Sequence, residues 1–181
     1  VVTYLEMRER PPAPSSPTIS PLKLVRWDHA EPERYRALFR LVGEPWLWFS
    51  RLVISDEELT AAIHDPLVEV YAVTNRSGND FGLVELDFRQ AGECELALFG
   101  LVPSMTGRGH GQWLMQRALH LAWRDTVSRV CVHTCTLDHP SALGFYRAHG
   151  FVPYERAVET FADPRVIGIF DKGTAPQLPV I

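Results

Sequence analysis

The chain has 181 residues, of which 46% are hydrophobic and 22% are charged, and its formal net charge is −4 at pH 7. This composition is typical of a globular protein with room for one hydrophobic core. The negative charge argues against nucleic acid or anionic membranes as partners. No apolar run reaches the roughly 20 residues of a membrane span, and residues 1–10 lack the pattern of a secretory signal. With three cysteines, an odd and small number, we expect a cytoplasmic protein.

Residues 1–21 are predicted to be an N-terminal extension that ends in a proline-rich linker. Residues 2–7 have the pattern of a short strand that docks on the main body. Residues 11–21 contain five prolines and three serines, which favours an extended linker over a packed element. Residues 22–181 are then predicted to form a single domain.

The periodicity of apolar residues predicts a mixed α/β order without internal repeats. Pro32 suits the first turn of a helix, and Ser55 with Glu58 forms a capping box at the start of another. Gly150 is placed to end a later helix. The predicted elements are strand 22–27, helices 32–41 and 55–64, strands 68–74, 81–88 and 94–102, helix 112–124, strand 129–136, helix 140–149, and strands 154–160 and 166–170.

The segment between strand 94–102 and helix 112–124 is the most informative part of the sequence. It places glycines at 107, 109 and 111, where the backbone can adopt positive φ and approach a ligand closely. Successive N–H groups at the start of a helix form a cradle for an anion, and Arg108 adds a cation. On glycine spacing alone, a tight connection without a ligand is an equal alternative. The spacing excludes a P-loop and the dinucleotide fingerprint.

Residues 106–111 (Thr-Gly-Arg-Gly-His-Gly) resemble the Gln/Arg-x-x-Gly-x-Gly/Ala signature of the GNAT N-acetyltransferases, with Thr106 in the place of Gln or Arg. Leu101-Val102-Pro103 resembles the end of the family's fourth core strand, and Gly100 fits the bulge of that strand. The resemblance implies that acetyl-CoA, through its pyrophosphate and pantetheine arm, contacts Leu101, Val102, Pro103, Thr106, Gly107, Arg108, Gly109, His110, Gly111 and Gln112.

A second segment, residues 139–151, resembles the family's Asn-x-x-Ala-x-x-x-Tyr-x-x-x-Gly-Phe motif, with His139 in the place of Asn. His139 is therefore implied to contact the CoA arm. The two motifs extend the resemblance over roughly residues 22–171. It implies a GNAT fold of the α/β (α+β) class, with a central mixed, mostly antiparallel sheet that is splayed between the fourth and fifth core strands and flanked by about four helices.

The implied activity is N-acetyl transfer from acetyl-CoA to a primary amine by direct attack in a ternary complex, without a metal. Tyr146 matches the family tyrosine near the CoA sulfur and is the predicted proton donor to the leaving thiolate. From the sequence alone, a core tyrosine is the alternative. A backbone N–H at the strand bulge, near Leu101, is implied to polarise the thioester oxygen.

Glu95 is the predicted general base, acting directly or through one water. It interrupts an otherwise apolar strand, where a carboxylate is costly unless it is paired or functional. Its offset from Arg108 is similar to that of the catalytic glutamate in histone-acetylating members of the family. A structural or substrate-binding carboxylate is the alternative, and Glu85 with Asp87 is the fallback pair.

Cys131, His133 and Cys135 suggest a metal site, but on a strand they would lie about 6.6 to 7 Å apart, too far to converge on zinc. We expect a buried strand and no metal. Trp46, Trp48 and Glu85 are the predicted acceptor-site residues. The acceptor class (small molecule, amino acid or peptide N-terminus) and the formation of a homodimer stay open, and a non-catalytic acyl-CoA-binding sensor module is the alternative function.

Overall fold

The computed structural model describes residues 1–12 and 18–180, which contain seven strands and four α-helices. In chain order they are β1 (Val2–Met7), β2 (Lys23–Arg26), α1 (Pro32–Gly43), α2 (Asp56–Ile63), β3 (Val68–Thr74), β4 (Asp80–Asp87), β5 (Glu93–Leu101), α3 (His110–Ala122), β6 (Arg129–Cys135), α4 (Ala142–Ala148) and β7 (Val152–Ala157). Short 3-10 turns lie at 44–46, 50–52 and 103–105. Part of the predicted proline-rich linker, residues 13–17, lies outside the described residues.

Local sequence signals account for where the helices begin. The Ser55 hydroxyl accepts a hydrogen bond from the Glu58 N–H at 3.1 Å, while the Glu58 carboxylate accepts one from the Ser55 N–H at 2.8 Å. This confirms the predicted capping box of α2. α1 begins with Pro32, whose missing N–H is not needed in a first turn.

The strands form one sheet in the order β2-β3-β4-β5-β6-β1-β7. Apolar side chains cover both of its faces. One cluster joins α1 and α2 to the sheet around Tyr35, Phe39 and Leu59. The other joins α3, the second half of β1 and Tyr146 of α4 around Leu114 and Met115. The sheet is therefore the middle layer of three.

Neighbouring strands are antiparallel except for β5 and β6, which run parallel. Their pairing is confined to Glu93–Glu95 and Arg129–Cys131, although β5 continues to Leu101 and β6 to Cys135. The two strands therefore separate after Glu95. This confirms the predicted splay between the fourth and fifth core strands.

The N-terminal strand is an inner strand of the sheet. β1 pairs antiparallel with β6 on one side and with β7 on the other. Val2, Leu5 and Met7 are buried, because apolar side chains at these positions fill the space beside β6. Residues 2–7 therefore belong to the same sheet as the rest of the chain. The boundary expected at residue 22, between an extension and the domain, does not separate them from the fold.

The last predicted strand, 166–170, is wrong. Gly168 has a φ of 81°, and the N–H groups of Ile169 and Phe170 both donate to the carbonyl of Pro164. These residues form turns within a C-terminal segment (residues 158–180) that packs against residues 47–52 through Phe170 and Ala175. Within the described residues, no helix is long and apolar enough to cross a membrane.

Candidate active site

A cleft of about 480 Å³ opens where β5 and β6 separate. One wall is β5 from Glu95 to Leu101, a length of about 20 Å at roughly 3.3 Å per residue. Thr106, beyond the end of β5, lines one end of the cleft, and Asp87, which pairs with Glu95, lines the other. Since the cleft is continuous, a ligand held at Thr106 can reach Glu95.

The glycine turn after β5 has the backbone of an anion cradle. Gly107 and Gly109 have φ values of 72° and 81°, and a Cβ added to either would meet no atom within 4 Å. α3 begins at His110 with Gly109 as its N-cap, without a capping side chain. The first N–H groups of α3 therefore lie free beside open space, as binding of a phosphate requires. This backbone fits the pyrophosphate of acetyl-CoA.

Two side chains of the turn are fixed by neighbours. The His110 Nδ1 lies 3.1 Å from the Ser20 hydroxyl, so the chain that follows the proline-rich segment packs beside the turn. The Thr106 hydroxyl donates to the Pro103 carbonyl at 2.8 Å. Thr106 is thus part of the turn's own hydrogen bonding, and its hydroxyl proton is already used within the turn.

The expected bulge of β5 lies at Ala97 and not at Gly100. Glu85 pairs with Leu98 and Leu86 with Leu96, which leaves Ala97 as the extra residue. Gly100 allows Val42 and Trp48 to pack closely against β5, because a Cβ there would meet Val42 Cγ1 at 2.6 Å and the Trp48 ring at 3.2 Å. The backbone distortion therefore lies two residues after Glu95 and four residues before Leu101.

Tyr146 lies in α4, is 7% exposed and lines the cleft. The rings of Phe99, Phe145 and Phe151 surround it at centroid distances of 5.8 to 6.2 Å. Burial, and secondarily the carboxylate of Asp138, raises the pKa of Tyr146 above its ordinary value. The phenol is therefore protonated at neutral pH and has a proton to donate.

Glu95 occupies the last paired position before β5 and β6 separate. Its Oε1 lies 3.0 Å from Nδ1 of His133, and the two side chains are 42% and 45% exposed. The hydrogen bond to Glu95 raises the pKa of His133, and burial partly opposes this. A carboxylate and an imidazole thus form a pair at the point where the cleft begins.

Glu85 is 1% exposed and does not line the cleft. Its carboxylate accepts hydrogen bonds from the Tyr35 hydroxyl and from Arg51 Nη2, both at 2.5 Å. The prediction that Glu85 contacts the acceptor is therefore corrected, because both oxygens are used inside the protein. Glu85 holds Arg51, and Arg51 lines the cleft.

The aromatic loop (residues 44–49) spans the opening between β5 and the start of α4. Trp48 Nε1 donates to Asp138 Oδ1 at 2.9 Å, and Trp46 packs edge-on against His139 at 5.1 Å. Phe49 contacts Phe161 of the C-terminal segment at 5.1 Å. The predicted acceptor loop therefore lines the cleft with half-buried aromatic rings.

The model of the acetyltransferase (GNAT) family matches residues 24–151, more than half of the chain. The chain belongs to the GNAT family. No protein with a curated function shows significant sequence similarity to it.

Solved structures share the GNAT fold at low sequence identity. A spermidine N-acetyltransferase from Vibrio cholerae, in complex with CoA and spermine, is 24% identical with a TM-score of 0.61 and aligns over 78% of this chain and 86% of its own. An aminoglycoside acetyltransferase from an uncultured soil metagenomic sample, in complex with sisomicin, is 15% identical with a TM-score of 0.61. The alignment covers 78% of this chain and 95% of that protein. A GNAT family protein from Streptococcus pneumoniae is 20% identical with a TM-score of 0.54. The alignment covers 72% of this chain and 87% of that protein.

In this GNAT protein, the predicted residues Glu95, Tyr146, Thr106, His139, Trp46 and Trp48 all line one cleft. Sequence reasoning missed Asp138, and it weighed His133 only as a metal ligand. The alternation of Cys131, His133 and Cys135 on one face of β6 was the available signal, but we expected that face to be buried. Among the described residues no group of His, Cys, Asp and Glu is arranged to hold a metal ion.

Proposed function

We propose that this GNAT protein transfers an acetyl group from acetyl-CoA to a primary amine by direct attack in a ternary complex. The observation that carries the proposal is the continuous cleft, which connects the glycine turn at Thr106 to Tyr146 and Glu95. The backbone of the turn binds the pyrophosphate, and the free edge of β5 beyond Glu95 binds the pantetheine arm. The thioester then lies near the separation of β5 and β6.

Three groups serve the chemistry there. Tyr146 donates a proton to the leaving thiolate. A backbone N–H at the Ala97 bulge polarises the thioester oxygen. The proton of the amine is taken on the Glu95 side of the cleft, where a carboxylate and an imidazole line the wall. Trp46 and Phe49 offer rings on which the carbon frame of an amine can pack.

Direct attack is favoured over an acyl-enzyme because the described residues that line the cleft include no activated nucleophile. Cys135 lines the cleft, but burial and the nearby Asp138 raise the pKa of its thiol. A thiol with a raised pKa has little thiolate at neutral pH. The alternative, a non-catalytic acyl-CoA-binding module, does not account for a protonated phenol and an imidazole–carboxylate pair facing the same cleft.

The binding half of the proposal is tested by Gly109→Val. A β-branched residue is strained at a φ of 81° and would project into the open space of the cradle. Gly78→Val is the matched control, because Gly78 has a φ of 82° and equally open surroundings in the turn between β3 and β4. Isothermal titration should show lost acetyl-CoA binding in Gly109→Val and wild-type binding in Gly78→Val. Equal affinity in both folded variants would contradict the cofactor site.

The catalytic half is tested by incubating the protein with acetyl-CoA and a panel of polyamines, aminoglycosides, amino acids and peptides, and measuring thiol release. We expect release with at least one small-molecule amine. Tight acetyl-CoA binding without thiol release for any acceptor would favour the sensor alternative.

A further inference from the structure

The hydrogen bond between Glu95 and His133 fixes the proton distribution of the imidazole. A carboxylate can only accept, so Nδ1 of His133 carries the shared proton. In the neutral ring Nε2 then has a free lone pair, which is the form that can take up a proton. Glu95 thus sets the tautomer and orientation of His133. Carboxylates that accept a hydrogen bond from a metal-binding histidine act in the same way.

The surroundings of His133 favour its protonated form. Its ring packs against Tyr4 of β1 at a centroid distance of 5.9 Å. The titratable groups that face it from the neighbouring strands and loops are Glu95 of β5, Tyr4 of β1, Cys131 and Cys135 of β6, Asp138 after β6 and Glu159 after β7. The carboxylates in this set stabilise an imidazolium, and 45% exposure of the side chain allows proton exchange with water.

We propose that His133, and not Glu95, is the catalytic base of this GNAT protein, and that Glu95 is its positioning residue. The inference rests on the proposed function. A free imidazole has a pKa near 6.5 and a free glutamate near 4.3, so the imidazole is the stronger base. A base whose pKa lies near the working pH is also the more efficient proton acceptor.

The proton balance follows from the two groups at the cleft. The substrate ammonium first loses one proton to water. As the amine nitrogen bonds to the thioester carbon and the C–S bond breaks, the N–H proton passes to His133 Nε2 and the Tyr146 hydroxyl gives its proton to sulfur. His133 then releases its proton to water and Tyr146 regains one. The products are the amide and the CoA thiol, and the net release is the one proton of the ammonium.

The pH dependence of kcat distinguishes His133 from Glu95 as the base. In the wild type, His133 must be neutral, so activity should fall on the acid side through a pKa above the ordinary 6.5. Glu95→Gln keeps an acceptor for Nδ1 but removes the charge that raises the pKa of His133. Its acid limb should therefore move to lower pH while kcat at its new optimum stays within about ten-fold of wild type. In His133→Gln, the acid limb of the pH profile should disappear and kcat should fall by about 10²-fold or more.

The matched control is His120→Gln, at the exposed end of α3 and away from the cleft, which should leave the profile unchanged. Melting temperatures and acetyl-CoA affinity should be near wild type in all three variants. NMR titration of the His133 ring in wild type and Glu95→Gln gives a readout independent of activity, and its pKa should fall in the variant.

If His133→Gln stays active and keeps the wild-type acid limb, His133 is not the base. If the acid limb is lost only in Glu95→Gln, Glu95 is the base. An unchanged pKa of His133 in Glu95→Gln would overturn the positioning role of Glu95. A wild-type protein that binds acetyl-CoA but acetylates no amine would contradict the proposed function itself, and the role of His133 with it.

Discussion

At the scale of single residues, Tyr146 combines two properties that seldom coincide. Its ring is packed among Phe99, Phe145 and Phe151, as in any core, and yet it lines the cleft beside Asp138. The ring therefore contributes to stability, while the proposed catalytic role depends on the hydroxyl alone. The two contributions can be separated, because removal of the oxygen leaves the packing intact.

Tyr146→Phe should lower kcat by about ten-fold or more, because the thiolate then leaves without its proton donor. Its melting temperature should change little. Tyr71→Phe is the matched control, since Tyr71 is 6% exposed and donates to Glu69 at 2.8 Å, away from the cleft. That variant should keep wild-type turnover and lose about 1 kcal/mol of unfolding free energy. Steady-state kinetics and thermal melts on both proteins decide the matter, and full turnover in Tyr146→Phe would refute the donor role.

Single residues also show what the sequence could and could not predict. The glycine turn and Tyr146 are local signals, since each sits in a short motif whose neighbours are fixed by the backbone. Glu85 was misassigned because strand alternation indicates a face of the sheet but not the depth at which a side chain lies. The pairing of Glu95 with His133 depends on the parallel register of two strands, and no local pattern in either strand encodes that register.

At the scale of elements, the turns of the C-terminal segment (residues 158–180) are held together by the side chain of Arg165. The Arg165 guanidinium donates to Asp163 at 2.7 Å and to the carbonyls of Thr174 and Leu178 at 3.1 and 2.9 Å. The segment's Phe161 then completes the cleft against Phe49. Residues 166–170 were predicted as a strand from their apolar side chains, but they form turns in which Val166 and Ile167 are exposed and Phe170 is buried. The position of this segment therefore bears on the acceptor side of the site.

Arg165→Ala should raise the KM for the amine several-fold and leave acetyl-CoA affinity unchanged, because the carbonyls lose their common donor and the wall around Phe161 loosens. Hydrogen exchange of residues 158–180 should increase in the same variant. Arg156→Ala, an exposed change on β7, serves as the control and should alter neither quantity. Faster exchange without any effect on KM would show that the segment is not part of the acceptor site.

At the scale of the whole molecule, the fold extends beyond the residues that the family model matches. β1 precedes the match at residues 24–151 and β7 follows it, and the two strands pair with each other. The second half of the sheet therefore depends on residues from both ends of the chain. The sequence indicated a strand at 2–7, but its partner could not be read because the pairing joins residues more than a hundred positions apart.

Leu5→Ala tests this directly, since Leu5 is 0% exposed in the shared core. The substitution should lower the unfolding free energy by about 3 kcal/mol, as large-to-small changes in a core do. Val25→Ala, at a strand position that is 40% exposed, should cost less than about 1 kcal/mol. Denaturant unfolding of the two variants provides the comparison. A neutral Leu5→Ala would mean that residues 1–21 are a dispensable extension after all.

The place of β1 also has a consequence for how the protein is made. β1 leaves the ribosome before its partner β6, which begins at Arg129, so more than 120 further residues are added before the two strands can pair. At roughly 5 to 20 residues per second, that delay is on the order of 6 to 25 s. Throughout it, the apolar side chains of Val2, Leu5 and Met7 have no core to enter. During synthesis β1 is thus an apolar segment without a partner, although in the folded protein it is an inner strand of the sheet.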